Sequence, residues 1–235
     1  MLNVAYLPKD FAIGCYVPLW QWPEDGPPDH YTGFIAAIKG IFDGTDPCLK
    51  NQAIEEAVEF LSSNLCGFDA VAVVPSHKAA KTSSTGIYRV AAELSRQSSE
   101  RIVDATACLH RIKDIKKLAE SKGKRSMQTH LDSIQLRHSQ RLKDKRILLL
   151  DDVRCSGSSL DACVQILNNE ALPTAVYPLA LAQSWYDGME DFEQAYAHID
   201  FEIHRDYQVQ KEILNIEKDQ ERDALGNLQR FAFGH

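Results

Sequence analysis

Long apolar runs are missing from this chain of 235 residues, and nothing in it approaches the roughly 18 consecutive apolar residues that a membrane span needs. The start, MLNVAYLPKD, has neither the basic stretch nor the apolar stretch of a secretory signal, so a cytoplasmic protein is expected. Cysteine pairs at metal-binding spacing are missing too. The six cysteines stand at 15, 48, 66, 108, 155 and 163, without a C-x-x-C pair or a neighbouring Cys/His cluster. That argues against a zinc site and, in an intracellular chain, for single buried thiols. No glycine-rich phosphate loop ending in Gly-Lys-Ser/Thr, no internal repeat and no low-complexity tract occurs, which excludes P-loop hydrolases, solenoids and fibrous or disordered classes.

What is present is an ordinary globular composition, 44% apolar and 25% charged. A chain of this length buries a substantial core without help from metals or disulfides. Acids outnumber bases, 33 to 26, for a net charge of −7. The excess is unevenly spread. Residues 110–146 hold twelve bases and four acids, a local charge of +8 that leaves −15 for the rest. Such a chain meets an anion at one place while the remainder of its surface repels polyanions.

Residues 1–50 are rich in proline, glycine and aromatics and are expected as an irregular N-terminal extension with one short helix around 32–41. A core is expected over 51–182. There Ile54, Val58, Leu61 and Leu65 mark one helical face, and Ala70 to Val74, ended by Pro75, reads as a buried parallel strand. A helix with Ile87, Val90, Ala91 and Leu94 inward follows, then a strand over 101–109 and a polar helical or mobile stretch to about 140. Arg146-Ile147-Leu148-Leu149-Leu150 is the clearest strand, followed by a helix with Leu160, Val164 and Leu167 inward. A last strand over 175–181 carries an internal Pro178, which argues for an edge position or a bulge. Strands alternating with helices imply an α/β fold, an open and mostly parallel sheet with helices on both faces. The tail, 183–235, has twelve acids and five bases, with a helix expected over about 208–224. It is either a cap on the sheet or an oligomer contact, the latter compatible with a homodimer.

In open parallel sheets ligands gather outside the carboxyl ends of the strands. The segment ILLLDDVRCSGSSL puts two carboxylates there, then a loop of small residues opening a helix. Backbone N–H groups at the helix start bind a phosphate, Gly157 lets the chain come close, and the hydroxyls of Ser156, Ser158 and Ser159 add donors. Asp151 and Asp152 can accept from two vicinal sugar hydroxyls or hold a hydrated Mg²⁺. A phosphate site and a diol site one loop apart describe a ribose 5-phosphate. The plainer alternative is a strand end and a serine helix cap that bind nothing.

The same segment resembles the phosphoribosyl-diphosphate-binding motif of the type I phosphoribosyltransferases. The layout is closest to the competence-protein-F-like (ComF-like) subgroup, since AVVPSHKAAK precedes a helix and a basic stretch precedes the strand with two acids. The resemblance implies a phosphoribosyltransferase-like core over 51–182 and transfer of the phosphoribosyl group from phosphoribosyl diphosphate to an unidentified nitrogen nucleophile, with release of pyrophosphate. It implies that Asp151 and Asp152 bind the ribose hydroxyls, with Mg²⁺ held through water. Val153, Arg154, Cys155, Ser156, Gly157, Ser158 and Ser159 would wrap the 5-phosphate. Ser76, His77 and Lys78 would form the pyrophosphate loop. The basic stretch 110–146, with Lys113, Lys122, Lys124 and Arg125, would be the mobile loop that closes over the site, and Asp151, Asp152, Lys78 and Arg111 would be the catalytic residues, the two bases stabilising the departing charge.

Two departures from the family pattern matter. Purine-type relatives carry an Asp where this chain has Cys155, and a neutral thiol is a poor general base, which disfavours purine salvage. Arg154 stands where an apolar residue is usual, and it adds a phosphate contact or projects to solvent. A non-catalytic regulator binding phosphoribosyl diphosphate or a nucleotide is therefore the first alternative. A DNA-processing accessory of ComF type is the second, with nucleic acid disfavoured by the acidic remainder but left open as a partner.

Overall fold

Ile147, Leu148, Leu149 and Leu150 are all fully buried, although successive strand residues face opposite ways. A strand with both faces covered must lie inside a sheet with layers above and below, and the computed structural model shows this arrangement. It describes residues 2–7, 11–16, 30–41, 47–79, 85–97, 102–115 and 126–184. In chain order the elements are β1 (Leu2–Asn3), β2 (Ala12–Tyr16), α1 (His30–Lys39), α2 (Pro47–Asn64), β3 (Leu65–Cys66), β4 (Ala70–Val73), α3 (Gly86–Gln97), β5 (Val103–Asp104), β6 (Leu109–Arg111), α4 (Met127–Leu131), β7 (Ile134–Leu136), β8 (Arg146–Arg154), α5 (Ser158–Glu170) and β9 (Ala175–Ser184). All of these lie in the unit spanning Met1–His198. A second unit, Ile199–His235, falls outside the described residues, and with it the helix expected over 208–224.

The central sheet has five parallel strands in the order β2-β9-β8-β4-β5. On one face Val71, Val73, Leu148, Leu150, Leu179 and Leu181 pack with residues of α1, α2 and α3. On the other, Ala70, Ala72, Ile147, Leu149 and Ala180 pack with α5 and with Leu109 and Ile134 of an antiparallel β6–β7 hairpin. Full burial of one Leu or Ile side chain contributes about 1.5–3 kcal/mol. An exposed ion pair gives about 0–1 kcal/mol, so packing sets the position of β8 and the charges at its ends refine it.

Three expectations change. Residues 12–16, inside the stretch expected to be irregular, form an edge strand paired Ala12 to Ala180 and Gly14 to Ala182. The helix expected around 32–41 is α1. Pro178 lies within an interior strand, not at an edge. Its place is tolerated because the neighbouring Ala180 donates its N–H toward Phe11, so residue 178, of the same parity, faces the β2 side below the point where β2 begins. Finally, the strand expected over 101–109 is divided: β5 ends at Asp104, a turn follows, and Leu109 starts the hairpin. Part of the polar stretch to 140 is therefore ordered as α4 and β7.

At the sheet's amino end Arg146 holds Asp69, with Nε 3.0 Å from Oδ2 and Nη2 2.8 Å from Oδ1. These bonds lead the causes that keep the Asp69 carboxyl down at about 2. A depressed carboxyl stabilises the fold above its unfolded pKa and loses that stabilisation as pH falls through the folded one. Asp69→Asn is thus expected to lose about 0.5–1 kcal/mol at neutral pH. In urea titrations this deficit should shrink below pH about 4 and vanish near pH 2; a deficit constant across that window would contradict the account.

Candidate functional site

Asp151 follows Ile147 and Leu149 on the α5 face of β8, and Asp152 follows Leu148 and Leu150 on the α1–α3 face. Each carboxylate is steadied by the chain itself: Asp152 N–H donates to Asp151 Oδ1 at 2.9 Å, and Val153 N–H to Asp152 Oδ1 at 2.7 Å. The second oxygens face the two flanking layers. Ser159 Oγ of α5 donates to Asp151 Oδ2 at 3.4 Å, and Lys39 Nζ of α1 donates to Asp152 Oδ2 at 2.9 Å. Asp151 is only 9% exposed. Burial first, and the Asp152 charge second, hold its carboxyl well above the usual carboxylate range, while Lys39 pulls the other way.

Beyond Arg154 the chain turns through Cys155, Ser156 and Gly157 into α5. Gly157 has φ 79°, a left-handed conformation that glycine adopts without strain. A Cβ there would stand 3.0 Å from Arg154 Nε, so the Arg154 guanidinium lies against the loop. Ser156 and Ser158 hydroxyls are 3.0 Å apart. The first intrahelical bond is Asp161 N–H to the Gly157 carbonyl. Of the amides before it, that of Ser158 lies 3.5 Å from Ser156 Oγ, and the first amides of a helix carry the positive end of its dipole. Cys155 is exposed as a residue, yet burial around its thiol pushes the pKa up, against a lowering hydrogen bond from Ser184. These surroundings favour the thiol over the thiolate.

On the adjacent strand, β4 ends and residues 75–78 form the second loop. Arg111, expected in the mobile basic stretch, is 1% exposed. Its Nε donates to the Ser76 carbonyl at 2.7 Å and its Nη2 to the Pro75 carbonyl at 3.2 Å, while Nη1 reaches Ser133 Oγ. The next residues continue the clamp. Ile115 N–H donates to the His77 carbonyl at 3.0 Å, and Ala79 N–H donates to Asp114 Oδ1 at 2.7 Å. The described peptides are all trans, and a trans peptide directs its C=O and N–H in opposite senses. With three successive carbonyls turned to residues 111–115, the amides of Ser76, His77 and Lys78 point away from that segment. Within the loop Lys78 N–H already lies 3.5 Å from Ser76 Oγ, and a row of amides of this kind can face an anion. Arg111, expected as a catalytic base, is thus buried beneath the loop and hydrogen-bonded to it. Lys78 and Lys113 are exposed, and Lys122, Lys124 and Arg125 lie outside the described residues.

Lys39 was not foreseen from the sequence. The one available signal was a single cation closing an otherwise apolar turn, FIAAIKG. Burial would lower its pKa, but the charge and hydrogen bond of Asp152 outweigh this and raise it. Its ammonium also stands 5.8 Å from the centre of the Tyr16 ring at the end of β2. Tyr88 lies in the first turn of α3. Burial, with smaller contributions from Cys163 and Asp151, pushes its phenol up to about 12. Its hydroxyl and that of Thr85 are buried without a hydrogen-bond partner.

Among the described residues no group of three or more His, Cys, Asp or Glu could cage a metal ion. Asp151 and Asp152 offer hard carboxylate oxygens. Mg²⁺ commonly takes one or two carboxylates and completes its shell with water and substrate phosphates, and the pair fits that partial role. Among the described residues no helix is long and apolar enough to cross a membrane. The whole is an α/β fold with two polar loops after neighbouring strands of a parallel sheet, and an acidic pair near the end of one of those strands. Neither family models nor curated proteins give a match to this chain.

Proposed function

We propose that the chain is a phosphoribosyltransferase, moving the 5-phosphoribosyl group of phosphoribosyl diphosphate to a nitrogen nucleophile and releasing pyrophosphate. The observation that carries this reading is the placement of Asp151 and Asp152 between the Ser156–Gly157–Ser158 turn at the start of α5 and the clamped loop of residues 75–78. Vicinal hydroxyls donate to the two carboxylates. The 5-phosphate takes the α5 amides, the serine hydroxyls and Arg154. The diphosphate takes the amides of residues 76–78 and Lys78.

Bound Mg²⁺ would neutralise charge on the diphosphate. As the C1–O bond breaks, its electron pair leaves with pyrophosphate and positive character grows on the ribose, beside the carboxylates that stabilise it. The nitrogen lone pair then closes the bond to C1. Cys155, kept neutral, does not serve as the base. The acceptor must therefore lose its proton without help from this position.

The neutral Cys155 also favours a second reading, a regulator that binds phosphoribosyl diphosphate without turning it over. Pyrophosphate release, measured with phosphoribosyl diphosphate and Mg²⁺ against a panel of nitrogen bases, separates the two. Release with one base supports the transferase, and tight binding without release from any base supports the regulator. Absence of binding would overturn both.

A further inference from the structure

Lys39 is held against Asp152 by more than chance approach of two surface charges. Ile35 and Ile38 of the same helix are fully buried, which fixes the axial position and rotation of α1. At the helix end, Gly86 lets the start of α3 lie directly against the Ile38 carbonyl, where any Cβ would collide with that backbone oxygen. The ammonium that follows is steadied on one side by the Tyr16 ring and on the other by Asp152 Oδ2 at 2.9 Å. An ammonium is a compact, strongly hydrated point charge, and it competes for the same carboxylate oxygens as a small divalent ion.

From this placement we infer that Lys39 is a built-in counter-ion of the acidic pair, which competes with divalent cations for Asp152 and must be displaced before a metal ion or a sugar diol can engage that carboxylate. The inference deepens the phosphoribosyl reading and rests on it for the identity of the sugar, but not for the competition itself. It gives the site a threshold. A ligand carrying phosphate alone can take the α5 loop with the ion pair intact, whereas a ribose phosphate has to break the pair.

The test uses the full chain and Mn²⁺ as a spectroscopic stand-in for Mg²⁺, with binding followed by water-proton relaxation. Lys39→Met is expected to bind Mn²⁺ at least about tenfold more tightly than the parent, because a fixed competing charge is gone. Lys39→Gln, neutral but polar, should show the same gain, and Lys39→Arg should stay near the parent. Adding Asp152→Asn to Lys39→Met should abolish the gain. Unchanged Mn²⁺ affinity in both neutral variants, or a gain that survives Asp152→Asn, would overturn the inference. Ribose 5-phosphate titrated in parallel keeps the two ideas apart. If none of the forms binds it while the Mn²⁺ pattern holds, the sugar reading fails and the counter-ion stands.

Discussion

Replacing Arg111 by methionine is expected to lower stability by about 3–5 kcal/mol and to abolish binding at the second loop. The side chain is 1% exposed, and its guanidinium supplies the donors for the Pro75 and Ser76 carbonyls and for Ser133 Oγ. A hydrogen bond from a charged donor contributes about 1.5–3 kcal/mol, and a buried acceptor left without its donor costs about 1–3 kcal/mol. Methionine restores the volume and none of the donors. The loss is therefore far larger than for an exposed lysine such as Lys113, whose removal should fall within about 0.5 kcal/mol. Urea unfolding gives the stability, and phosphoribosyl diphosphate titration at low denaturant gives the functional part. Arg111→Lys should recover only a fraction, since a single ammonium cannot span acceptors that the planar fork meets together. A stability change below about 1 kcal/mol in Arg111→Met would show that the loop does not depend on this clamp.

Gly86→Ala is expected to cost about 2–3 kcal/mol and to loosen the acidic pair from its lysine. The atoms that a Cβ would meet are the Ile38 carbonyl oxygen and carbon, with Ile38 Cγ2 also at 2.9 Å. Backbone cannot swing aside as the tip of a long side chain can, so α1 and α3 must part. Since Lys39 is the next residue after Ile38, the parting withdraws the ammonium from Asp152. The variant should therefore gain Mn²⁺ affinity in the same direction as Lys39→Met, and combining the two should add little to that gain. Full additivity would separate the helix contact from the ion pair. Thermal unfolding and Mn²⁺ titration on the same samples decide it.

The parts of this structure that were legible in the sequence are those whose signal is local. Leu148, Leu149 and Leu150 announce a buried strand because few other arrangements cover both faces of such a run, and Ile87, Val90, Ala91 and Leu94 announce one face of α3. The two acids and the serine-glycine turn were visible for the same reason, lying within a dozen residues of one another. Strand β2 was hidden because its five residues sit among prolines and aromatics whose turn character dominates any window. The burial of Arg111 was not legible because net charge describes a segment, whereas burial is decided residue by residue. Inside a stretch of +8 it is the cation that packs beneath a loop 35 positions away. Lys39 and Asp152 are 113 positions apart and meet only because α1 and β8 share one face of the sheet. No spacing rule encodes such a meeting.

The central claim is that the strand end at Asp151 and Asp152 holds a phosphoribosyl group, and its most direct test is calorimetric titration of phosphoribosyl diphosphate into the parent chain and into Asp151→Asn/Asp152→Asn. The variant should fold. Asp151 already lies where burial disfavours its charged form, so a neutral amide is tolerated there. The hydrogen bonds from sugar hydroxyls to the two acids are lost, and affinity should fall by about a hundredfold or more. Inorganic phosphate, which needs only the α5 loop, should bind both forms alike. Equal affinity of the two folded proteins for phosphoribosyl diphosphate would contradict the assignment.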